Sequence, residues 1–439
     1  MTTRTGPRPA IREGGAAALL RPVLDGLFGG APPVRLRAWD GSETGPAAAP
    51  TVVLRSPDAL RRLVSAPGEL GLARAYVAGD LDVDGDLLDG LRRVRAAARA
   101  GRPSPATLLA AARALLVLGA AGRPPAPPGG EARLRGRLHS RARDGAAIAH
   151  HYDLSNDFYA LVLDPRMVYS CAYWERPDLD LAQAQRAKLD LVCRKLGLRP
   201  GMRLLDVGCG WGALAVHAAR EYGAHVTGVT LSREQASAAR ERAAGLPVEI
   251  RLRHYRDIGG GPYDAVASIE MGEHVGRRGY PGFAAALHRL VRPRGRVLVQ
   301  QMSRGARAPG GGAFIERYIA PDMHMRPVGE TIALLESAGL EVADVHGLRE
   351  HYVRTVQEWR RTFEDRHEEI VAVAGEETAR VWRLYLAGGG LAFEQGRMGV
   401  DQILAVRPDA AGRSGLPPAR SDLGSTADGA EGAYGTGPS

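Results

Sequence analysis

The twelve residues from Leu204 to Ala215 read LLDVGCGWGALA and place one carboxylate, Asp206, ahead of three alternating glycines, Gly208, Gly210 and Gly212. Glycines at a turn from a buried strand into a helix let a ligand approach the backbone. An acid at the strand end can accept from a cationic or hydroxyl-bearing group. The pattern alone fits a dinucleotide as well as other adenosine-bearing cofactors. The next apolar run discriminates between them. It ends GVTLSREQ, with Thr230 and Leu231 where a dehydrogenase usually supplies an acidic residue for the ribose, and Gln235 one turn further on. That combination favours S-adenosylmethionine.

A second stretch, VYSCAYW from Val168 to Trp174, sets Cys171 among Tyr169, Tyr173 and Trp174. Cys171, Cys193 and Cys209 are the only cysteines and show no CxxC spacing, so neither a disulfide framework nor a four-thiolate zinc site follows. No neighbouring His or Arg is placed to lower the thiol pKa, and Cys171 reads as a wall rather than a nucleophile. His150 and His151 lack a third ligand at a sensible spacing, so no metal is expected.

AHHYDLSNDFYALVLDPRMVYSCAYW, the glycine turn with its following strand, HYRD, EMGEHVG and HYVRTVQEWRRTF occur in this order. Together they resemble the cyclopropane-fatty-acyl-phospholipid synthases and their mycolic-acid relatives. The likeness runs from about Tyr76 to Ile403 and is most diagnostic between His150 and Gly276. It implies methyl (methylene) transfer from S-adenosylmethionine to the cis double bond of an unsaturated phospholipid acyl chain, giving a cyclopropane fatty acid. It also implies that Tyr169, Ser170, Gly208, Gly210, Thr230, Leu231 and Gln235 contact the cofactor. The family positions bicarbonate as the base that removes a proton, held by a glutamate, a histidine, a tyrosine and backbone donors. Carried over, Glu273 is that glutamate, Tyr352 the tyrosine, and the backbone at Cys171 one donor.

Several positions depart from the family pattern. Gln300 stands at the histidine position and Met302 at an isoleucine. An amide can hold an anion but cannot titrate. This opens an alternative product, a 10-methylene or methyl-branched chain formed through a hydride shift. His254 occupies the place of an acid for the adenine amino group, which a ring nitrogen can also accept, and YIAPDMHM replaces a Phe-Pro-Gly pattern near the expected acyl tunnel. An alkene is a weak nucleophile, so aromatic walls should stabilise the cation formed; Phe158, Tyr159, Tyr173 and Trp174 are candidates.

The elements that must position these residues follow from periodicity. MRLLDV, HVTGV, VEIRL, YDAVASI and RVLVQQM read as buried strands, separated by helix-sized segments such as ALAVHAAREYG and REQASAARERAAG. The alternation predicts an α/β fold, a doubly wound Rossmann-like sheet of the class I methyltransferase kind, over residues 146–407. A smaller α+β lipid-contacting domain is expected over residues 1–120, a Pro/Gly/Arg-rich linker containing GRPPAPPGG over 121–145, and a disordered tail from 408. Tyr352, Val356, Trp359 and Phe363 recur at helical spacing and predict a packed stripe whatever the function.

Composition narrows the partners. The net charge is +9, and all but two of the 58 cations are arginine, a skew that coding bias explains in part. The arginine series from Arg92 to Arg143 would nevertheless attract the phosphates of an anionic membrane surface or of nucleic acid. Neither an Asn-Pro-Pro-Tyr tetrad nor a paired-cysteine arrangement occurs, so nucleic acid is not expected as a partner. Ala106 to Ala121 is apolar but short and carries Arg113, which favours a buried or interfacial helix over a span. With no signal-peptide-like start, the expectation is a cytoplasmic protein peripherally associated with the inner membrane face, acting on phospholipid acyl chains. A homodimer is compatible with this reading.

Overall fold

A computed structural model describes residues 14–98, 103–152, 154–305 and 310–419. The chain divides into two compact units. The first runs to Glu131 and recruits two later segments, Gly312–Tyr318 and Ile370–Leu391. The second takes the rest, Ala132–Gly311, Ile319–Glu369 and the chain from Ala392. A division in simple sequence order could not contain the two later segments of the first unit.

The first unit holds a four-stranded sheet of β1 (Arg35–Arg37), β2 (Glu43–Thr44), β3 (Thr51–Leu54) and β4 (Leu81–Asp84), in the order β2-β1-β3-β4. Its core gathers Leu36, Leu54, Tyr76, Leu81 and Leu88 with Ala387 and Leu391 from the late segment. The run expected to be a buried or interfacial helix forms one over Pro105–Val117, capped by the Ser104 hydroxyl on the Thr107 N–H. Leu108, Leu109 and Leu116 on it are 57%, 72% and 69% exposed, so the helix is a surface element. Among the described residues no helix is long and apolar enough to cross a membrane.

The second unit is built on a seven-stranded sheet: β5 (Arg203–Val207), β6 (His225–Thr230), β7 (Val248–Leu252), β8 (Tyr263–Ile269), β9 (Val291–Arg304), β10 (Glu341–Gly347) and β11 (Met398–Val406). The order is β10-β11-β9-β8-β5-β6-β7, parallel from β9 to β7 and antiparallel where β11 joins β9 and β10. Each of the five apolar runs expected to be a strand is one of β5 to β9. Parallel strands covered on both faces need continuous apolar sequence, and Leu204, Leu205, Val266 and Val299 are wholly buried. Order reverses beside β5, the switch point at which ligands bind in open α/β sheets. The chain past Pro408 has neither helix nor strand as far as residue 419, and the remainder of the expected tail lies outside the described residues.

Candidate functional site

β5 is the centre of the site. Asp206 is its penultimate residue, in register with Gly228 of β6 and Ala267 of β8, and its side chain is buried. Beyond it the backbone turns through Gly208, Gly210 and Gly212 at φ values of 87°, 53° and 81°, a left-handed path that only glycine follows without strain. A Cβ at Gly208 would lie 3.0 Å from Met271, whereas one at Gly210 would meet nothing within 4 Å. The turn therefore faces open space, and that space is a cavity wholly within the second unit.

Tyr169, Ser170, Asp206, Gly208, Gly210, Thr230, Leu231, Gln235 and His254 all line this cavity. Gly212 does not; it caps the following helix, Ala213–Tyr222, and packs closely on Ala239. At the end of β6 the Thr230 hydroxyl donates to Gln235 Oε1 at 2.9 Å, and Ser232 caps the helix Arg233–Arg242 by accepting from the Gln235 N–H. Asp206 Oδ2 is buried without a hydrogen-bond partner, and burial pushes its carboxyl up to about 7, partly offset by the Lys188 charge. An orphaned acceptor beside an open glycine turn is the arrangement that a cationic, hydroxyl-bearing cofactor such as S-adenosylmethionine satisfies.

His254 occupies its expected place with its ring nitrogens already engaged. Its Nδ1 accepts from the Arg256 N–H at 3.1 Å, and its Nε2 lies 3.3 Å from Asp144. A carboxylate absent from position 254 itself is thus brought beside it by Asp144, from the helix Arg141–Tyr152, and Asp144 also lines the cavity. The reading of His254 as an acceptor for adenine is corrected accordingly: with Nδ1 taken, its Nε2 acts as a donor to Asp144.

Of the VYSCAYW segment, Val168, Tyr169 and Ser170 line the cavity; Cys171, expected as a wall, lies behind them and reaches the site only through its N–H. Gln185 Nε2 donates to the Ser170 carbonyl at 2.8 Å and Lys188 Nζ to the Ser170 hydroxyl at 2.9 Å, both from the helix Leu181–Leu196. Cys171 is fully buried, its thiol pushed well up by burial and then by the Glu270 charge, so it stays a thiol. The aromatic candidates fall elsewhere. Trp174 Nε1 donates to the His351 carbonyl at 3.0 Å, with Arg354 stacked on its ring, and Tyr173 packs on His351. Tyr159 packs behind Tyr169 and Trp211, with Phe158 against it. The phenol and indole rings that line the cavity are those of Tyr169, Trp211 and Tyr255, with the imidazoles of His254 and His274.

The predicted catalytic set converges, but on a different carboxylate. Glu270, at the end of β8, accepts from the Cys171 N–H at 2.8 Å and from Gln300 Nε2 at 2.8 Å on Oε1, and from the Tyr352 hydroxyl at 2.7 Å on Oε2. Gln402 Nε2 donates to Gln300 Oε1 at 3.0 Å, which holds the Gln300 amide with its N–H toward Glu270. Glu273, expected to sit with these donors, is fully buried, accepts from the Met302 N–H, and does not line the cavity. Burial, and next the Glu270 charge, push the Glu273 carboxyl up to about 8, so it is mostly neutral at pH 7. Asp144, Lys188, Arg253, Glu270 and Asp322 are polar wall residues that no local sequence pattern marks. Glu270 stood in plain view in EMGEHVG, yet nothing local distinguishes it from Glu273 three residues on.

Tyr352, Val356, Trp359 and Phe363 are all buried along one face of the helix Arg349–Asp365, as their spacing predicts. The arginine series is less available than its density implies: Arg93 pairs with Asp89, Arg141 with Asp257 and Arg143 with Asp322.

Comparison with known proteins agrees with this geometry. The family model described as mycolic acid cyclopropane synthetase matches residues 139–403. A probable fatty acid methyltransferase of Pseudomonas putida is 39% identical over 422 residues, 92% of this chain and 99% of the relative. A tuberculostearic acid methyltransferase of Mycobacterium tuberculosis is 36% identical, covering 92% of this chain and 93% of the relative. The crystal structure of a mycolic acid cyclopropane synthase complexed with SAH and CTAB superposes with a TM-score of 0.57 at 33% identity, over 60% of this chain and 97% of that one. The glycine turn on β5, the cavity it opens into and a match spanning most of the second unit show that the chain belongs to the cyclopropane synthase family of S-adenosylmethionine-dependent lipid methyltransferases.

Proposed function

We propose that this enzyme adds a methyl group to one carbon of a cis double bond within a fatty acyl chain and releases a methylene-branched product, without closing a cyclopropane ring. S-adenosylmethionine supplies an electrophilic methyl group on sulfur. The protein must hold the alkene in line with it, exclude water, and accept one proton. The cavity suits those tasks. Its walls include Met167, Val168, Leu214, Ile269 and Val275, and the rings of Tyr169 and Trp211 offer π-faces to a developing cation. Asp206, Gly208, Gly210, Thr230, Leu231 and Gln235 would hold the cofactor. Asp144, drawn in by His254, would stand at its adenosine end.

The observation that favours the branched product is Gln300. A non-titrating amide, pinned by Gln402 and donating to Glu270, occupies the position at which the cyclopropanating pattern has histidine. Relatives that match over nearly their whole length carry names of fatty acid methyl transfer. The test is expression in a host lacking such lipids, followed by mass spectrometry of fatty esters before and after mild catalytic hydrogenation. The expected product is one methylene unit heavier and gains two hydrogens on hydrogenation. A product of the same mass that resists mild hydrogenation would be the cyclopropane and would overturn the branched assignment.

The substrate is a membrane lipid, and we read the helix Pro105–Val117 as the element that meets the bilayer. Leu108, Leu109 and Leu116 are exposed on it with Arg113 among them, an apolar surface with a cation at its edge. Leu109→Glu combined with Leu116→Glu should reduce co-sedimentation with phosphatidylglycerol vesicles by about tenfold or more, because two large apolar groups lose their burial. Added salt should weaken wild-type binding as well. Unchanged sedimentation of the double variant would remove this helix from the docking surface.

A further inference from the structure

The base that the family resemblance implies is a bicarbonate ion held by backbone, tyrosine and side-chain donors. In this chain those donors are already taken. The Cys171 N–H, the Gln300 amide and the Tyr352 hydroxyl all end on the two oxygens of Glu270, at 2.8, 2.8 and 2.7 Å. A carboxylate and a bicarbonate present the same planar, oxygen-edged anion, and both cannot occupy one buried set of donors without strong repulsion. Bicarbonate therefore does not fit the site as this chain builds it.

We propose that Glu270 is the resident general base of this enzyme and replaces bicarbonate outright. The proposal rests on the methyl-transfer reading above and supplies its proton acceptor.

Three further observations support it. Glu270 lines the cavity beside the glycine turn, whereas Glu273 does not. The pair also divides its charge unevenly. Glu270 collects three donors from other segments and faces the Lys188 charge, while Glu273 accepts from the Met302 N–H and from its own N–H and leaves Oε2 without a partner. Burial raises both carboxyls, but the three donors and the Lys188 charge offset it at Glu270, so of the pair the negative charge resides on Glu270 and the proton on Glu273. Finally, Glu270 has φ of 51°, a left-handed conformation that a glutamate adopts only under constraint, and its N–H donates to the Gln300 carbonyl at 2.6 Å. The backbone is bent in order to present this carboxylate.

The chemistry balances. As the S–CH3 bond breaks, a C–C bond forms between the methyl carbon and one alkene carbon, leaving a neutral thioether and a positive charge on the neighbouring carbon. A hydride shift moves that charge to the carbon bearing the new methyl. A methyl C–H then breaks: its electron pair becomes the C=CH2 double bond of the branch and its proton passes to Glu270. If no hydride shifts, the same electron pair closes the ring and the proton again passes to Glu270. In both cases Glu270 begins as an anion and ends as a neutral acid.

The experiment uses the full chain in buffer stripped of carbon dioxide, with S-adenosylmethionine and vesicles of unsaturated phosphatidylglycerol, and compares wild type, Glu270→Gln and Glu270→Gly. Wild-type turnover should stay within about twofold on removing or restoring bicarbonate, while Glu270→Gln should lose about a thousandfold in kcat, as for a missing general base. Glycine relieves the φ of 51° and vacates the donors, so Glu270→Gly should be inactive without bicarbonate and recover at least about tenfold with millimolar bicarbonate. A second arm needs no turnover: 13C-bicarbonate, followed by NMR line broadening, should bind Glu270→Gly and not wild type. Wild type that binds bicarbonate, or stops when it is removed, overturns the proposal, as does a Glu270→Gln protein within tenfold of wild type. If wild type methylates no lipid at all, the methyl-transfer reading falls, and the binding arm still decides whether Glu270 fills the bicarbonate seat.

Discussion

Asp206→Asn is expected to weaken S-adenosylmethionine binding by roughly 10- to 150-fold, the loss of about 1.5 to 3 kcal/mol for a hydrogen bond to a charged group. Asp206 presents a buried oxygen with no protein partner to the cavity beside the glycine turn, so the cofactor is its natural donor. The pH dependence of binding carries the sharper signature. Burial holds the carboxyl near 7 in the free protein, and a cationic ligand prefers the ionised form. Binding must therefore release a proton below that value, and affinity must rise with pH up to about 7 and level off above it. Between pH 6 and pH 8 the wild-type gain should be about tenfold, while the asparagine variant, with nothing to titrate, should show a flat profile. Calorimetry in buffers of different ionisation enthalpy measures both affinity and proton release. An Asp206→Asn protein with wild-type affinity, or a wild type with no proton release at pH 6, would detach Asp206 from the cofactor.

Lys188→Met is expected to lower folding stability by about 3 to 5 kcal/mol at pH 8, the range seen when one partner of a buried charge system is removed. The ammonium is 2% exposed and donates to Ser170. Its charge acts on Asp164, Asp206 and Glu270, each of which burial pushes toward the neutral form. Without the lysine these carboxylates would retain protons to higher pH. The deficit should therefore shrink at pH 5.5, where neutralising them costs less, and grow at pH 8. Denaturant midpoints at the two pH values measure the effect. The cofactor site should respond as well, since Asp206 loses the charge that keeps part of it ionised. A loss below about 1 kcal/mol that is the same at both pH values would mean that the ammonium is not the counter-charge of this wall.

Both variants act on residues that differed in how legible they were. Asp206 could be named from LLDVGCGWG because its role depends on a local feature, a strand end followed by glycines. Lys188 could not, because it lies in the middle of a helix whose sequence reads as amphipathic, and its importance arises from carboxylates on other elements. Strands β5, β6, β8 and β9 were readable for the same reason as Asp206: a parallel strand inside the sheet, covered on both faces, is rich in continuous apolar sequence, whereas the edge strand β7 shows itself by the alternation in VEIRL. The antiparallel strands β10 and β11 are not legible in this way, since they carry polar residues such as Asp344 and Gln402 that only their sheet position explains.

The amino-acid sequence by itself determined the fold class, the cofactor and the segments that enclose the site, because each depends on residues near one another along the chain. The tertiary structure decided which carboxylate the site is built around. Glu270 and Glu273 are equivalent to any local reading. The donors that distinguish them come from 99, 30 and 82 residues away: the loop at Cys171, strand β9 and the helix Arg349–Asp365. Hydrogen-bond directionality over such separations exists only once the sheet and the helix Arg349–Asp365 have assembled, and a left-handed backbone at Glu270 is tolerated only because that assembly holds it.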